Sequence, residues 1–331
     1  MRIFLAYQKI LCAFLGIVLS TLALGENQMH FRPAAVVAQP KDVTLIVGVP
    51  DAGIFSYELV GGEFEYLVQK GDSLTSIGAR LGVEPSTLAR MNKIKRDSLL
   101  YPGKRLQIEN RHIVPERLTD GLLINLPQRL LYYFESGTLI AHYPVGLGSW
   151  AWATPTGSFN VLDIQENKVW YVPKSIQEEM RREGKPVRAQ VPPGPENPLG
   201  KFWIGLSLPA IGIHGTNAPA SVYHFQSHGC IRLHPDDIAA LVQRVRKNMQ
   251  GKIIYAPVLL ARISDGRIFL EVNRDVYRKN SDPLSVVEHL ARTQGLTAMI
   301  DWEKVRKIIQ LKDGVAREVG LHTPVPLGET Q

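Results

Sequence analysis

The order of apolar and polar positions predicts a small mixed unit followed by a larger one built mainly of strands. Runs rich in β-branched residues over 43–60 flank a turn at 50–53, which predicts a hairpin. Residues 66–108 then pass from strand to helix patterns and back, which predicts a β-α-α-β unit. Its expected elements are a strand over Tyr66–Val68, helices over Leu74–Leu81 and Pro85–Met91, and a strand over Arg105–Ile108.

Strand patterns dominate from residue 121 onwards. The runs LLINLP, RLLYYFE and TLIAHYPV are separated by short turns and predict two successive hairpins. Later runs, including WIGLSL, IGIHG and KIIYAPVLLARI, each predict a further strand, so this domain should be mainly β. Residues 186–200 contain five prolines, which predicts a long surface loop or lid, or else a disordered insertion.

Helical patterns return near the end of the chain. A helix is expected to start at Pro235, because Pro suits the first helical position and Asp236 and Asp237 complement the positive end of the helix dipole. The tail from residue 281 to residue 320 carries two further amphipathic patterns, over Leu284–Thr293 and Trp302–Ile309.

The first 25 residues have the pattern of a secretory signal peptide. Arg2 and Lys9 precede an apolar run over Ile10–Leu24, which is shorter than the roughly 18 to 20 residues that span a bilayer. We expect export and cleavage after about Gly25, with retention of the segment as the alternative. After cleavage Cys230 is the single cysteine. An unpaired thiol in an oxidising compartment is either an inert buried residue or a functional group.

The charge of the chain narrows the class of partner. The formal net charge is +7, and subtracting the two positive charges of the first 25 residues leaves +5, which suits an anionic cell envelope. Basic residues are not interleaved with aromatic ones as in nucleic-acid-binding segments. We therefore expect no nucleic-acid partner.

The segment SHGCIRLHPDD, residues 227–237, concentrates groups that could activate a thiol. A free cysteine is mostly protonated at neutral pH, so a nucleophilic cysteine needs a base or a cation nearby. In an extended segment His228, Cys230 and Arg232 point to one face at intervals of roughly 6.5 to 7 Å, too far for a direct hydrogen bond. The base is therefore expected on a neighbouring strand, and the strand end GIHGT supplies His214.

Residues 66–108 resemble a LysM module. The motif VxxGDSL at 68–74, the asparagine after the second helix and the motif LxxGxxLxI at 100–108 all match. The resemblance implies binding of glycans that contain N-acetylglucosamine, such as peptidoglycan; the alternative is a structural domain without a ligand. The expected glycan-binding residues are Gly71, Asp72, Ser73, Leu74 and Asn92.

Residues 213–233 resemble the signature of the L,D-transpeptidases with a YkuD-type catalytic domain, since a His-Gly-Thr is followed by Ser-His-Gly-Cys and an arginine two positions beyond. The turn TPTG at 154–157 and the proline-rich loop are also similar, so the resemblance covers about residues 120–262. It implies that Cys230 is the nucleophile and His214 the base, with His228 as the alternative base.

The same resemblance implies roles for the neighbouring residues. The carbonyl of Gly215 would orient the His214 imidazole, and His228 and Gly229 would contribute to the oxyanion environment and to substrate placement. Arg232 would hold the strand or a substrate carboxylate. The expected substrate-binding residues are Arg232, Gly215, Thr216 and Ser227, of which Ser227 would chiefly fix the turn.

These observations predict a mainly β, sandwich-like catalytic domain with a helix after the cysteine motif, a βααβ LysM module and a short helical C-terminal appendage. The expected segments are a signal peptide (1–25), a leader with a possible hairpin (26–64), the LysM module (65–109), the catalytic domain (118–263) and the appendage (264–331).

The resemblance implies a periplasmic enzyme that acts on peptidoglycan without a cofactor or a metal. Cys230 would cleave the terminal D-alanine from a tetrapeptide stem through a thioester and transfer the acyl group to an amine. The acceptor would be a second stem, giving a 3-3 cross-link, or the terminal lysine of an outer-membrane lipoprotein.

Three alternatives remain at this point. A zinc site is disfavoured because only one cysteine survives maturation and no C-x-x-C pair exists. Other cysteine enzymes of the wall, the NlpC/P60 peptidases and the sortases, differ in the order or the spacing of Cys and His. A protein that binds peptidoglycan without catalysis is the third alternative.

Overall fold

The structure, a computed structural model, describes residues 53–279 and 282–321. The predicted signal peptide, the leader up to residue 52 and the cleavage position lie outside this range. Within it, no helix is long and apolar enough to cross a membrane.

The predicted β-α-α-β unit is present, with both helices at their predicted bounds. Ser73 starts the first helix, since its side chain accepts a hydrogen bond from the Ser76 amide, and Gly82 ends it in the left-handed conformation (φ 71°). Three short strands flank or follow the unit. In chain order the elements are β1 (Gly53–Ser56), β2 (Leu59–Val60), β3 (Glu63–Leu67), α1 (Leu74–Leu81), α2 (Pro85–Met91), β4 (Arg105–Glu109) and β5 (His112–Ile113).

The larger domain is mainly β, as predicted. Its first elements are β6 (Gly121–Asn125), β7 (Leu130–Glu135), β8 (Thr138–Gly148), β9 (Gly157–Glu166), β10 (Trp170–Tyr171), α3 (Lys174–Arg182) and β11 (Gln190–Val191). They are followed by β12 (Phe202–Leu206), β13 (Gly212–His214), β14 (Phe225–Ser227), β15 (Ile231–Leu233), α4 (Pro235–Val242) and β16 (Gln250–Ile254). The two predicted hairpins are β6–β7 and β7–β8, and the predicted helix after the cysteine motif is α4.

Nine of these strands form one sheet that closes on itself. The strand order is β14-β8-β15-β13-β12-β9-β16-β6-β7, and β7 also pairs with β8. Inward-facing apolar residues from most of these strands, together with Ile238 and Leu241 of α4, form a single buried core. The strands β13 and β15 pair in parallel within this sheet, with Ile213 opposite Ile231 and His214 opposite Arg232.

The run KIIYAPVLLARI, predicted as one strand, forms two. β16 belongs to the closed sheet, whereas β17 (Val258–Arg262) belongs to a second sheet. Pro257 lies between them, and its missing amide cannot continue a strand ladder.

The C-terminal part is a small α/β unit rather than a purely helical appendage. The two predicted helices are α5 (Pro283–Thr293) and α6 (Trp302–Leu311), and the structure adds the strands β18 (Ile268–Val272) and β19 (Arg317–Glu318). The second sheet has the order β1-β17-β18-β19, and α5 and α6 share an apolar core with it. Of the hairpin predicted over 43–60, the structure describes residues 53–60, which form β1 and β2. β1 pairs in parallel with β17, and β2 pairs with β5.

Two buried polar contacts join these units. The carboxylate of Glu271, on β18, accepts hydrogen bonds from the Ile113 amide (2.7 Å) and the Gln128 side chain (2.9 Å). The guanidinium of Arg129, in the turn between β6 and β7, is ion-paired with Glu84 at the start of α2 and lies 3.9 Å from the centre of the Tyr223 ring. The β-α-α-β unit is therefore packed against the closed sheet.

Candidate active site

The structure brings Cys230, His214 and Arg232 to one wall of a cavity of about 500 Å³. His214 ends β13, Arg232 lies opposite it on β15, and Cys230 immediately precedes β15. His214 thus reaches the cavity from the strand beside β15, where the base was expected, and its role as the base stays a prediction. Other residues that line the cavity include Trp152, Trp170, Ile176, Leu199, Trp203, Ser227 and His228.

The Cys230 thiol is partly exposed and lies beside two backbone groups. Its Sγ is 3.7 Å from the carbonyl oxygen of Ala210, to which the S–H donates. Burial raises the pKa of Cys230, although a hydrogen bond from the Gly212 backbone and the charge of Arg232 both act to lower it. The resting thiol is therefore protonated at neutral pH and needs a base to become a nucleophile.

The His214 imidazole is suited to be that base. Its Nδ1 donates to the carbonyl oxygen of Gly215 at 2.6 Å, as the resemblance implied, which leaves the lone pair on Nε2. The ring stacks on Trp203 with a centroid distance of 5.9 Å. Burial, and after it the charge of Arg232, lowers the pKa of His214 to about 4, so the imidazole is neutral at neutral pH and can accept a proton.

Arg232 supplies positive charge to the cavity. Its Nε is buried and has no hydrogen-bond partner in the described part of the chain, and its backbone register places it opposite His214. Guanidinium groups bind carboxylates in a fork-like geometry. The predicted alternative, a substrate carboxylate held by Arg232, fits this arrangement.

A network of hydrogen bonds fixes the turn before Cys230. Ser227 Oγ donates to the carbonyl oxygen of Cys230 and accepts from the Gly229 amide at 3.2 Å, so Ser227 fixes the turn as predicted. Gly229 has φ 105°, and Thr154 Oγ1 donates to its carbonyl oxygen at 2.9 Å. Because the Gly229 amide is used within the turn, the oxyanion role predicted for it would require this amide to leave Ser227.

The His228 side chain contacts the segment that covers the cavity. Its Nε2 lies 3.1 Å from Glu179 Oε2 and its Nδ1 lies 3.4 Å from Ser175 Oγ, both on α3. Its ring stacks on Trp152 with a centroid distance of 5.0 Å. Both imidazole nitrogens therefore face α3, which favours His214 over His228 as the base.

Residues 168–200, here called the lid segment, include the predicted proline-rich loop. Asn197 is buried and donates hydrogen bonds to the carbonyl oxygens of Lys168 (2.9 Å) and Val191 (3.3 Å), while β10 pairs with β11. Hydrogen bonds thus hold the loop in place, and its Pro198 and Leu199 line the cavity. Its role as a lid stays a prediction. Sequence reasoning missed α3, which apolar residues at Ile176 and Met180, one helical turn apart after Pro173, could have indicated.

Two predicted substrate-binding residues lie behind the cavity wall. Gly215 and Thr216 do not line the cavity; Gly215 accepts the hydrogen bond from His214, and Thr216 Oγ1 accepts one from the Ala218 amide at 3.0 Å. They shape the strand end that carries His214. Trp203 and Trp152, which do line the cavity, had no motif that could have identified them.

Most of the predicted glycan-binding residues are buried or make hydrogen bonds within the β-α-α-β unit. Leu74 is buried, and Asp72 accepts hydrogen bonds from the Tyr66 hydroxyl and the Gln69 amide at 2.8 Å each. Asn92 bridges α2 and β4, donating to Leu88 and Gln107 carbonyl oxygens and accepting from the Gln107 amide. The exposed apolar side chains of this unit are Phe64, Leu67, Leu99 and Tyr101.

Metal-ligand clusters are a further possibility for a site that contains Cys and His. Within residues 53–279 and 282–321, no group of three or more His, Cys, Asp or Glu residues is arranged to hold a metal ion.

Comparison with known proteins agrees with both motifs. The model of the YkuD L,D-transpeptidase catalytic domain matches residues 119–259, and that of the LysM domain matches residues 66–109. A Salmonella typhimurium protein named probable L,D-transpeptidase ErfK/SrfK is 30% identical over 260 residues, which cover 76% of this chain and 84% of that protein. An Escherichia coli protein named probable L,D-transpeptidase YcfS is 28% identical over 291 residues, with coverages of 84% and 89%. The chain therefore belongs to the L,D-transpeptidase family, cysteine-dependent acyltransferases, and combines a YkuD catalytic domain with a LysM domain.

Proposed function

We propose that Cys230 is the nucleophile of a peptidoglycan L,D-transpeptidase reaction, with His214 as its base and Arg232 as the substrate-binding cation. The observation that carries this proposal is the arrangement of the three residues on one cavity wall, with His214 Nδ1 bonded to the Gly215 carbonyl oxygen. The donor is a tetrapeptide stem that ends in D-alanine.

In the first step the Cys230 thiol loses its proton to His214 Nε2, and the sulfur attacks the carbonyl carbon of the third stem residue. The C–N bond to D-alanine then breaks, and the imidazolium returns the proton to the leaving amine. The products are a thioester on Cys230 and free D-alanine. The Gly229 amide, once it leaves Ser227, donates to the tetrahedral oxygen, an effect worth about 3 kcal/mol per aligned donor.

In the second step an amine attacks the thioester carbonyl carbon. His214 accepts a proton from the amine, the C–S bond breaks, and the sulfur leaves as a thiol after it recovers that proton. A peptide bond forms without ATP because the energy of the first peptide bond is kept in the thioester. The lid segment covers the cavity during this interval and limits hydrolysis.

The LysM domain fits binding of the glycan strands that carry the stem peptides. We propose the periplasm as the location and residues 1–25 as a cleaved signal peptide, on the basis of the apolar run that follows Arg2 and Lys9. We further propose that the LysM domain spans residues 65–109 and the catalytic domain residues 118–263. The acceptor amine belongs to a second stem or to the terminal lysine of an outer-membrane lipoprotein.

The test is a product analysis with purified protein and tetrapeptide muropeptides, with and without a peptide that ends in lysine. Mass spectrometry should show release of D-alanine and formation of a stem-to-stem or a stem-to-lysine product, which also identifies the acceptor. Cys230→Ala and His214→Ala should each lower the rate by about a thousandfold or more. If the Cys230→Ala variant forms products as fast as the unmodified protein, Cys230 is not the nucleophile. The result would then favour a protein that binds peptidoglycan without catalysis.

A further inference from the structure

A second groove lies beside the catalytic cavity, and the proposed reaction leaves it without a role. It has a volume of about 370 Å³. We call it the aromatic groove; the side chains that define it are Trp150, Thr154, Pro155, Tyr255, Tyr277 and Lys279.

The aromatic groove presents aromatic ring surfaces beside polar side chains. Trp150 is 62% exposed, and the guanidinium of Arg278 lies over its ring at 5.4 Å from the ring centre. Tyr255 and Tyr277 stack with a centroid distance of 5.6 Å and an angle of 22°. Their hydroxyl groups are used inside the protein, since Tyr255 donates to Asp275 at 2.6 Å and Tyr277 donates to the Gly148 carbonyl oxygen at 2.8 Å. The groove therefore offers a ligand ring surface together with polar groups, which include Lys279.

The aromatic groove adjoins the catalytic turn. Thr154 lines the groove and donates from Oγ1 to the carbonyl oxygen of Gly229, the residue before Cys230. Trp150 and Trp152 belong to one 3-10 turn, and Trp150 lines the groove whereas Trp152 lines the catalytic cavity. One extended ligand can therefore occupy both sites across this turn.

We propose that the aromatic groove binds the N-acetylglucosamine and N-acetylmuramic acid sugars of the donor whose stem peptide occupies the catalytic cavity. This inference rests on the proposed function, because only a stem peptide that reaches Cys230 brings its sugars to this position. Sugar rings have apolar C–H faces that pack on aromatic rings, and hydroxyl and acetamido groups that accept hydrogen bonds from a cation such as Lys279. The catalytic domain thus has a saccharide site of its own, in addition to the LysM domain.

The test compares two donors that differ only in the sugar. Trp150→Ala should raise KM for a disaccharide tetrapeptide about five- to tenfold, where tenfold corresponds to ~1.4 kcal/mol. It should leave KM and kcat for the sugar-free tetrapeptide unchanged, and Trp150→Phe should retain most of the affinity for the disaccharide donor. Tyr57→Ala, which removes an exposed aromatic side chain that does not line the groove, is the matched control and should change neither donor.

The outcomes separate this inference from the proposed function. If Trp150→Ala changes KM equally for both donors, or for neither, the saccharide site is overturned. The proposed reaction still stands in that case, provided that the unmodified protein converts the donors. If the unmodified protein converts neither donor, the proposed reaction fails, and the site is tested by adding the disaccharide alone to protein labelled with ¹⁵N-tryptophan. A shift of the Trp150 indole N–H signal, assigned by its loss in Trp150→Phe, would then support the site, and an unchanged signal would reject it.

Discussion

At the scale of single residues, the site holds the proposed nucleophile, Cys230, and the proposed base, His214, in neutral forms. Burial raises the pKa of Cys230 and lowers the pKa of His214 to about 4, because a low-dielectric environment disfavours whichever form is charged. Arg232 acts on both groups, since its positive charge favours the thiolate and disfavours the imidazolium. A thiol that is neutral at rest resists unwanted chemistry until a substrate fills the cavity.

The acid limb of the pH–rate profile should report His214. Below a pH of about 4 the imidazole is protonated and cannot act as a base, so kcat/KM should fall as the pH drops through that value. Arg232→Met removes a charge that lowers the pKa of His214, so the limb should move toward higher pH. Profiles of kcat/KM against pH for both proteins measure this shift. Arg262→Met, which removes an exposed arginine on β17, should leave the limb in place, and an unmoved limb in Arg232→Met would contradict the argument.

At the scale of elements, the lid segment closes the cavity through contacts at both of its ends. Asn197 bonds to the carbonyl oxygens of Lys168 and Val191 near its two ends, while Glu179 of α3 contacts His228 next to the nucleophile. The hydrogen bonds of the buried Asn197 and the fixed φ angles of the prolines both restrict the conformations open to this segment. This restriction should matter while the thioester waits for an amine.

Loosening the lid should favour water over the amine as the second substrate. Asn197→Ala removes the hydrogen bonds that tie residues 168, 191 and 199 together, and we expect the ratio of hydrolysed to transferred product to rise several-fold. Quantifying tripeptide and cross-linked product from the same reaction measures the ratio. Asn160→Ala serves as the control, since Asn160 is an exposed residue of β9 outside the lid segment; an unchanged ratio in Asn197→Ala would argue against the lid.

Sequence predicted the elements whose signals are local. The bounds of α1 and α2 followed from Gly82, Pro85 and helical spacing, and the pairing of His214 with the cysteine segment followed from a motif. The parallel pairing of β1 with β17 could not be predicted, because no local pattern records a contact between strands so far apart in sequence. Trp203 and Glu179 were missed for the same reason, since each reaches the site from a distant element.

At the scale of the whole molecule, a buried ion pair joins the LysM domain to the catalytic domain. Arg129 is only 7% exposed, and its guanidinium is bonded to Glu84 and to the carbonyl oxygen of Tyr223 (3.1 Å). Burial acts to raise the pKa of Glu84, but the charge and hydrogen bond of Arg129 outweigh it, so the pKa is lowered. Since the folded-state pKa lies below the unfolded value, this stabilisation is present above about pH 4.5 and is lost as the pH falls through the folded-state pKa.

Breaking this pair from one side should destabilise the protein strongly. Glu84→Gln leaves the Arg129 charge buried without its partner, and we expect the free energy of unfolding to fall by about 3 to 5 kcal/mol. Urea denaturation followed by tryptophan fluorescence measures this change. The double variant Glu84→Gln/Arg129→Met should recover most of the loss. Glu303→Gln, in an exposed pair with Lys307, should cost about 0.5 kcal/mol or less, and a similar small loss in Glu84→Gln would refute the argument.

The parallel contact between β1 and β17 also governs when the molecule can finish folding. A strand that begins at residue 53 waits for a partner that begins at residue 258, so a chain that emerges amino end first has made roughly two hundred residues before this ladder can start. Contacts of such high sequence separation slow folding. On the proposal that residues 1–25 direct export, the delay leaves this second sheet unformed until nearly all of the chain has passed through the secretion channel.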